Sequence, residues 1–180
     1  MLHTIAVIGA DNELCAALQT ALERHGGVAR VTETDVAAWD AELSEQFLLL
    51  ECIHPRRFDL RDGVYLLADT PEHLSGWELP ASGCAVVDSA EHWALPLLKG
   101  SGTPAISCGL HGSDTLCLSS FAEGECSVSL QRPLAVPGGA EVEPCEIPIH
   151  LTMPVRERGV AVICAALLLC GISPENGYTV

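Results

Sequence analysis

Two stretches of this chain set residues capable of chemistry at the ends of short apolar runs. In the first, Thr4-Ile5-Ala6-Val7-Ile8 is closed by Gly9-Ala10-Asp11-Asn12-Glu13, and a helical pattern follows at once. A turn from strand to helix is where backbone N–H groups and the helix dipole receive phosphate. A working phosphate loop also needs close backbone approach and a cation that reaches the terminal phosphates. Here Gly9 is the single glycine of the turn, the lysine is absent, and Asp11 and Glu13 would repel an anion while suiting the helix dipole. Gly9, Asp11 and Asn12 therefore read either as a degenerate phosphate loop or as an ordinary strand-to-helix turn with acidic residues at the helix start.

In the second, Phe47-Leu48-Leu49-Leu50 ends at Glu51, and the run Val64 to Ala68 leads through Asp69-Thr70-Pro71-Glu72 to His73. Neighbouring strand ends in an open parallel sheet converge on the crevice where ligands bind. One carboxylate and one imidazole, Glu51 and His73, could hold a divalent cation such as Mg2+, with water completing the shell. Two ligands make a weak site, so His54, Asp69 or Glu72 would have to join them; the competing reading leaves both residues polar at a sheet edge. Arg56, Arg57 and Arg61 form the basic cluster of the chain and either balance the surrounding carboxylates or meet an anionic ligand.

The remaining chemistry is thinner. No G-x-S-x-G elbow occurs, and Ser107-Cys108-Gly109-Leu110-His111-Gly112 places a cysteine near a histidine without a geometry for catalysis. Cys108, Cys117 and His111 have the ligand types of a zinc site. Nine cysteines with no CxxC spacing, most of them inside apolar segments, read better as reduced thiols used as small core residues.

The elements that must position these residues follow from the pattern. Buried strands are expected at residues 4–8, 28–31, 47–50, 64–68, 84–87 and 104–107, with helices over 13–25, 37–46 and 90–99. Strands alternating with helices imply a parallel sheet covered on both faces. The texture then changes: 115–121, 126–131 and 146–151 alternate apolar and polar residues between turn signals, one of them the Val136-Pro137-Gly138-Gly139 tip. Residues 159–170 close the chain as an apolar helix ended by Gly171. The expected architecture is α/β: a mostly parallel, Rossmann-like sheet with flanking helices over 1–107, a C-terminal antiparallel meander over 108–154 and a closing helix over 155–172. All of it forms one domain spanning 1–180.

Composition sets the boundaries. The hydrophobic share of 48% supports a full core, and 9 basic against 24 acidic residues give a net charge of -15. That balance argues against nucleic acid or an anionic membrane as partner. No secretory signal is legible at the start and the longest apolar run is too short to span a bilayer, so a cytoplasmic location is expected.

In order along the chain, these landmarks resemble the central, ATP-binding domain of the Mur ligases, the amide ligases of peptidoglycan precursor synthesis. Residues 5–12 stand where that family has a strand and a GTNGK(T/S) loop. Leu48-Leu49-Leu50-Glu51 resembles the strand ending in its magnesium-binding glutamate. Leu66 to Leu74 resembles the T-N-x-x-x-D-H-L segment whose histidine serves the metal, here His73. Ala85-Val86-Val87-Asp88-Ser89 resembles the V-V-N-x-D strand end, Pro104 to Leu110 the V-x-T-F-G strand, and Ala161 to Ile172 the alanine-rich helix ending in L-G-I.

The departures carry as much meaning. The loop lysine is replaced, with Glu13 at or beside its place, and the stretch from His73 to Cys84 is short and lacks the lysine carbamylated in many members. Val155-Arg156-Glu157-Arg158-Gly159 stands where the family has the adenine-receiving H-N-x-x-N. The UDP-sugar-binding and amino-acid-delivering domains have no counterpart in these residues. The resemblance thus implies a truncated relative without ligase activity that does not retain strong ATP binding, a binding or scaffold protein with a protein partner or self-association. The rival expectations are a divalent-metal enzyme handling a nucleotide or phosphate ester through Glu51 and His73, with Arg56 or Arg57 standing in for the lysine, and an oligomeric partner-binding module.

Overall fold

The computed structural model describes residues 2–32, 36–37, 46–53, 60, 62–68, 78–122, 124–136 and 139–180. In chain order, β1 (Leu2–Ile8) leads into α1 (Asn12–Glu23), then β2 (Gly27–Val31), β3 (Val36–Ala37), β4 (Gln46–Cys52), β5 (Val64–Leu67) and β6 (Cys84–Asp88). Next come α2 (Ala94–Ser101), β7 (Ala105–Gly109), β8 (Leu116–Ala122), β9 (Glu125–Leu130), β10 (Leu134–Ala135) and β11 (Glu141–Val142). The chain closes with β12 (Glu146–His150), α3 (Glu157–Leu169) and β13 (Tyr178–Thr179).

Eleven strands form one sheet in the order β13-β12-β9-β8-β7-β6-β5-β1-β4-β2-β3. From β2 through β8 every neighbouring pair is parallel. The meander of β8, β9 and β12 is antiparallel and continues the same sheet, because β8 pairs in parallel with the end of β7. The expected α/β fold with its antiparallel extension is thus what the chain adopts. The turn expected at 136–139 is flanked by the small β10–β11 ladder, although residues 137–138 lie outside the described set.

Alternation along β1 shows why both faces need cover. Ile5 and Val7 join the core formed with α1 and α3, while Ala6 and Ile8 join a smaller core that includes Ala94 of α2. Strands buried on both faces read as continuous apolar runs, which is what made them legible. The helix α3 is buried on all sides: from Val160 to Leu169 no residue is more than 6% exposed. At roughly 1.5–3 kcal/mol per buried Val, Leu or Ile, those residues outweigh the half-exposed ion pairs at the helix start, each worth about 0–1 kcal/mol.

The expected helix over 37–46 does not agree with the structure at either end. Ala37 pairs with Arg30 in the antiparallel β3, and Gln46 opens β4 beside Gly27 and Leu2; residues 38–45 lie outside the described set. At those two positions strand pairing takes the place of helical spacing. The helix expected over 90–99 starts later, at Ala94, after turns tied by Asp88 Oδ1 accepting from the Ala90 amide at 2.9 Å.

Gly83, just before β6, has φ +96°, and a Cβ there would stand 2.3 Å from the Gly63 carbonyl oxygen and 2.8 Å from the Tyr65 ring. Left-handed strain and the clash together predict that Gly83→Ala costs roughly 2–5 kcal/mol in urea unfolding. A loss below about 1 kcal/mol would show that this corner of the sheet relaxes freely.

Candidate functional site

Gly9 has φ +105°, and its N–H donates to the Cys52 carbonyl at 3.0 Å, turning the chain out of β1 beside the end of β4. Asp11 caps α1: its Oδ1 accepts from the Leu14 amide at 2.9 Å. Its Oδ2 pairs with the Arg156 guanidinium, and Glu13 Oε1 accepts from the Arg156 backbone N–H at 2.7 Å. Asn12, the first residue of α1, is exposed. The helix start that would receive a phosphate is therefore served by the chain's own carboxylates, and these are tied to the segment leading into α3. A phosphate arriving there would have to compete with Asp11 and Glu13, which already hold the Leu14 amide and Arg156.

Glu51 stands at the end of β4 opposite Val7, on the face that carries Phe47 and Leu49 toward α1. Arg30 of β2 projects on the same side, and its Nη2 forms an ion pair with Glu51 Oε1; the two side chains are 27% and 9% exposed. Arg30 Nη1 donates to Gln19 Oε1 at 3.3 Å. Burial first, then the nearby Glu51 charge, push the Cys15 thiol above its ordinary range. Magnesium does not fit Glu51 so engaged, since a divalent cation would lie against the Arg30 charge. His73 lies outside the described residues, as do His54, Arg56, Arg57, Arg61, Asp69 and Glu72.

A cleft of about 370 Å³ opens between the starts of α1 and α3 and the ends of β5 and β6. Leu14, Leu67 and Val162 give it an apolar wall, and Asp11, Asp88, Arg156 and Arg158 line it with charge. Asp88 Oδ1 accepts from Arg158 Nη1 at 3.1 Å. Of Gly9, Asp11 and Asn12, Asp11 lines this cleft, while Glu51 is seated beneath α1 with Arg30. Sequence reasoning missed Arg30, whose signal was a lone cation at an inward position of a buried strand, where a charge requires a partner. It also missed the pairing of Arg156 and Arg158 with acids 145 and 70 residues away, for which no local signal exists.

The crevice at the carboxyl ends of a mostly parallel sheet defines an open α/β domain of Rossmann-like architecture. Within that class, the fold is Mur ligase-like. A murein peptide ligase from Psychrobacter arcticus 273-4 superposes with a TM-score of 0.57 at 13% identity, over 97% of this chain and 45% of that one. The UDP-N-acetylmuramate:L-alanyl-gamma-D-glutamyl-meso-diaminopimelate ligase from Neisseria meningitides gives 0.59 at 15% identity, over 97% and 64%. MurF from Acinetobacter baumannii gives 0.56 at 12% identity, over 97% and 44%. The chain spans less than two thirds of each of these ligases. By sequence, no family profile and no curated protein matches it.

Six of the nine cysteines are buried, and Cys52, Cys84 and Cys145 are half-buried. Cys108 and Cys117 lie on adjacent strands, but the register sets Cys117 opposite Gly109, so the two thiols project to opposite faces. His111 is exposed, while its backbone N–H donates to Asp114 at 3.3 Å. Neither the zinc set nor the Cys108–His111 nucleophile is assembled, and no group of three or more metal-ligating side chains occurs among the described residues. No two of the nine cysteines are joined as a disulfide. Burial raises the thiols of Cys84 and Cys126 to about 11 and that of Cys170 to about 12.

A thiol whose folded pKa is raised adds stability that is whole below its unfolded value, near 9, and that is lost as pH climbs through the folded value. The unfolding midpoint should therefore be insensitive to these cysteines below about pH 8.5 and decline between about 9 and 12. A pH series of thermal melts checks this, and a midpoint unchanged up to pH 11 would contradict the buried placement of the thiols.

Proposed function

We propose that this chain is a non-catalytic, Mur-ligase-like protein that acts as a binding or scaffold module, linked to cell-wall precursor synthesis through the ligases whose fold it shares. Its location on this reading is cytoplasmic. The observation that carries the proposal is the closed set Asp11–Arg156–Glu13 at the start of α1. Ligation through an acyl phosphate depends on a trapped phosphate, a cation on its terminal oxygens and bound metal. This helix start instead presents carboxylates that are already satisfied, and Glu51 is already paired with Arg30.

A specific feature supports the partner-binding side of the reading. A groove of about 510 Å³ runs beside the cleft, lined by Phe121, Ala122, Leu151, Met153, Pro154 and Val155. Phe121, at the free end of the β8–β9 hairpin, is 43% exposed. Apolar surface of this kind at a hairpin end suits contact with another protein better than it suits a polar nucleotide.

Thermal unfolding with millimolar ATP, with Mg2+ and with both tests the proposal. A ligand present at a hundred times its dissociation constant adds about 2.7 kcal/mol, an easily read shift. The expected result is no shift in any arm. A saturable ATP–Mg2+ shift that Glu51→Ala removes would replace this reading with that of a metal-dependent nucleotide enzyme.

A further inference from the structure

We infer that β8 carries an open backbone edge that pairs with the same edge of a second copy of this chain, giving a two-fold dimer by antiparallel strand addition. The edge follows from register. β7 ends at Gly109, opposite Cys117, so among the described residues β8 has a neighbour on that side at Leu116 and Cys117 and none from Leu118 to Ala122. Its other side is taken by β9, and no backbone hydrogen bond from outside the ladders reaches residues 118–122. The bulge at Ser119 twists the strand but leaves Ser120, Phe121 and Ala122 in regular pairing with β9. An unpaired run of N–H and C=O groups is a template for another strand, and edges that stay single are guarded by lysine, proline or an inward charge. The run Thr115 to Ala122 has none of these, in a chain with 24 acidic residues.

Two further observations name the occupant. Leu110 and Phe121 are 39% and 43% exposed and stand at opposite ends of the open run, Leu110 just after Gly109 and Phe121 one residue from the end of β8. Antiparallel pairing about a two-fold axis carries the far end of one strand to the near end of the other, so Phe121 of each copy meets the Leu110 end of its mate. Charge is arranged in the same way. The hairpin end carries the exposed Glu125, opposite Ala122, and the foot carries the exposed Arg132, whose guanidinium donates to the Ser113 carbonyl. The two-fold operation sets acid against base at both ends and leaves the uncharged strand between them. A wholly cationic strand would meet Arg132 at the foot, and a wholly acidic one would meet Glu125 at the tip. The patch is thus self-complementary, as a two-fold interface must be. This inference deepens the partner-binding side of the preceding reading, on which it rests, by naming the surface and the partner.

The test is sedimentation equilibrium of the full chain from about 10 μM to 1 mM, with amide hydrogen exchange read at both ends of that range. A monomer–dimer equilibrium is expected, and the amides of residues 118–122 that face away from β9 should exchange more slowly in the dimer. Phe121→Glu should weaken the dimer roughly tenfold or more, with circular dichroism unchanged. Glu125→Arg and Arg132→Glu should each weaken it roughly two- to five-fold, and the double variant should restore it, which a purely structural role for either residue would not produce. A monomer throughout the range would overturn the inference, whether the edge serves another protein or none. A dimer that leaves the exchange of residues 118–122 unchanged, or that a folded Phe121→Glu variant forms equally well, would overturn it too. If Phe121→Glu does not fold, the charge-swap pair decides the matter. The ATP and Mg2+ melts are read separately: a saturable ATP–Mg2+ shift in protein that still dimerises would remove the non-catalytic reading and leave this one standing.

Discussion

The structure depends on the burial of α3 on every side. A helix apolar around its whole circumference has no solvent face, so the sheet must run far enough beneath it and other segments must close over it. Val128 and Leu130 of β9, Ile147 and Ile149 of β12, and Tyr178 and Val180 join α3 in one core with Ile5, Val7 and the inner face of α1. The antiparallel extension is thus part of the same core as the parallel sheet, and neither half buries its apolar face without α3. Because that helix is fixed by packing, its N-terminal residues Arg156 and Arg158 are delivered to one place, the cleft above β5 and β6.

What this delivery achieves is internal charge balance. A fold with a ligand crevice at its strand ends usually leaves a helix N-terminus and an acidic strand end awaiting an anion and a cation. In this chain the anions are Asp11 and Glu13 and the cations are Arg30, Arg156 and Arg158. Each pair joins residues from elements that only the tertiary structure brings together. The pairs at the mouth are half-exposed and energetically small; the pair beneath α1 is buried, where loss of one partner is costly. The weight therefore falls on Glu51 and Arg30 rather than on the more visible loop.

Much of the fold was legible because two-sided burial writes itself as apolar runs: Ile5 to Ile8, Phe47 to Leu50, Ala85 to Val87. The meander was legible through period-two alternation in 126–131 and 146–151, and the strand-to-helix turn at Gly9–Asn12 through its punctuation. The helix expected at 37–46 begins and ends in strand residues, Ala37 of β3 and Gln46 of β4, and residues 38–45 lie outside the described set. Two-residue strands such as β10, β11 and β13 have no period to detect. At the site, the types of Asp11 and Glu51 announced chemistry, but their partners did not. Arg156 is bound to Asp11 across nearly the whole chain, and Arg30 stands in a five-residue strand where one charge among apolar neighbours is a faint mark.

Both margins of the great sheet, among the described residues, are strands only two residues long: β3 at one side and β13 at the other. An exposed strand edge is a template for pairing with another chain, and its reach scales with the number of unpaired N–H and C=O groups it offers. A two-residue margin offers almost none. Among the described residues, the two marginal strands therefore offer little open ladder of their own. A chain meeting either of these two marginal strands would find side chains to contact and little backbone ladder to extend.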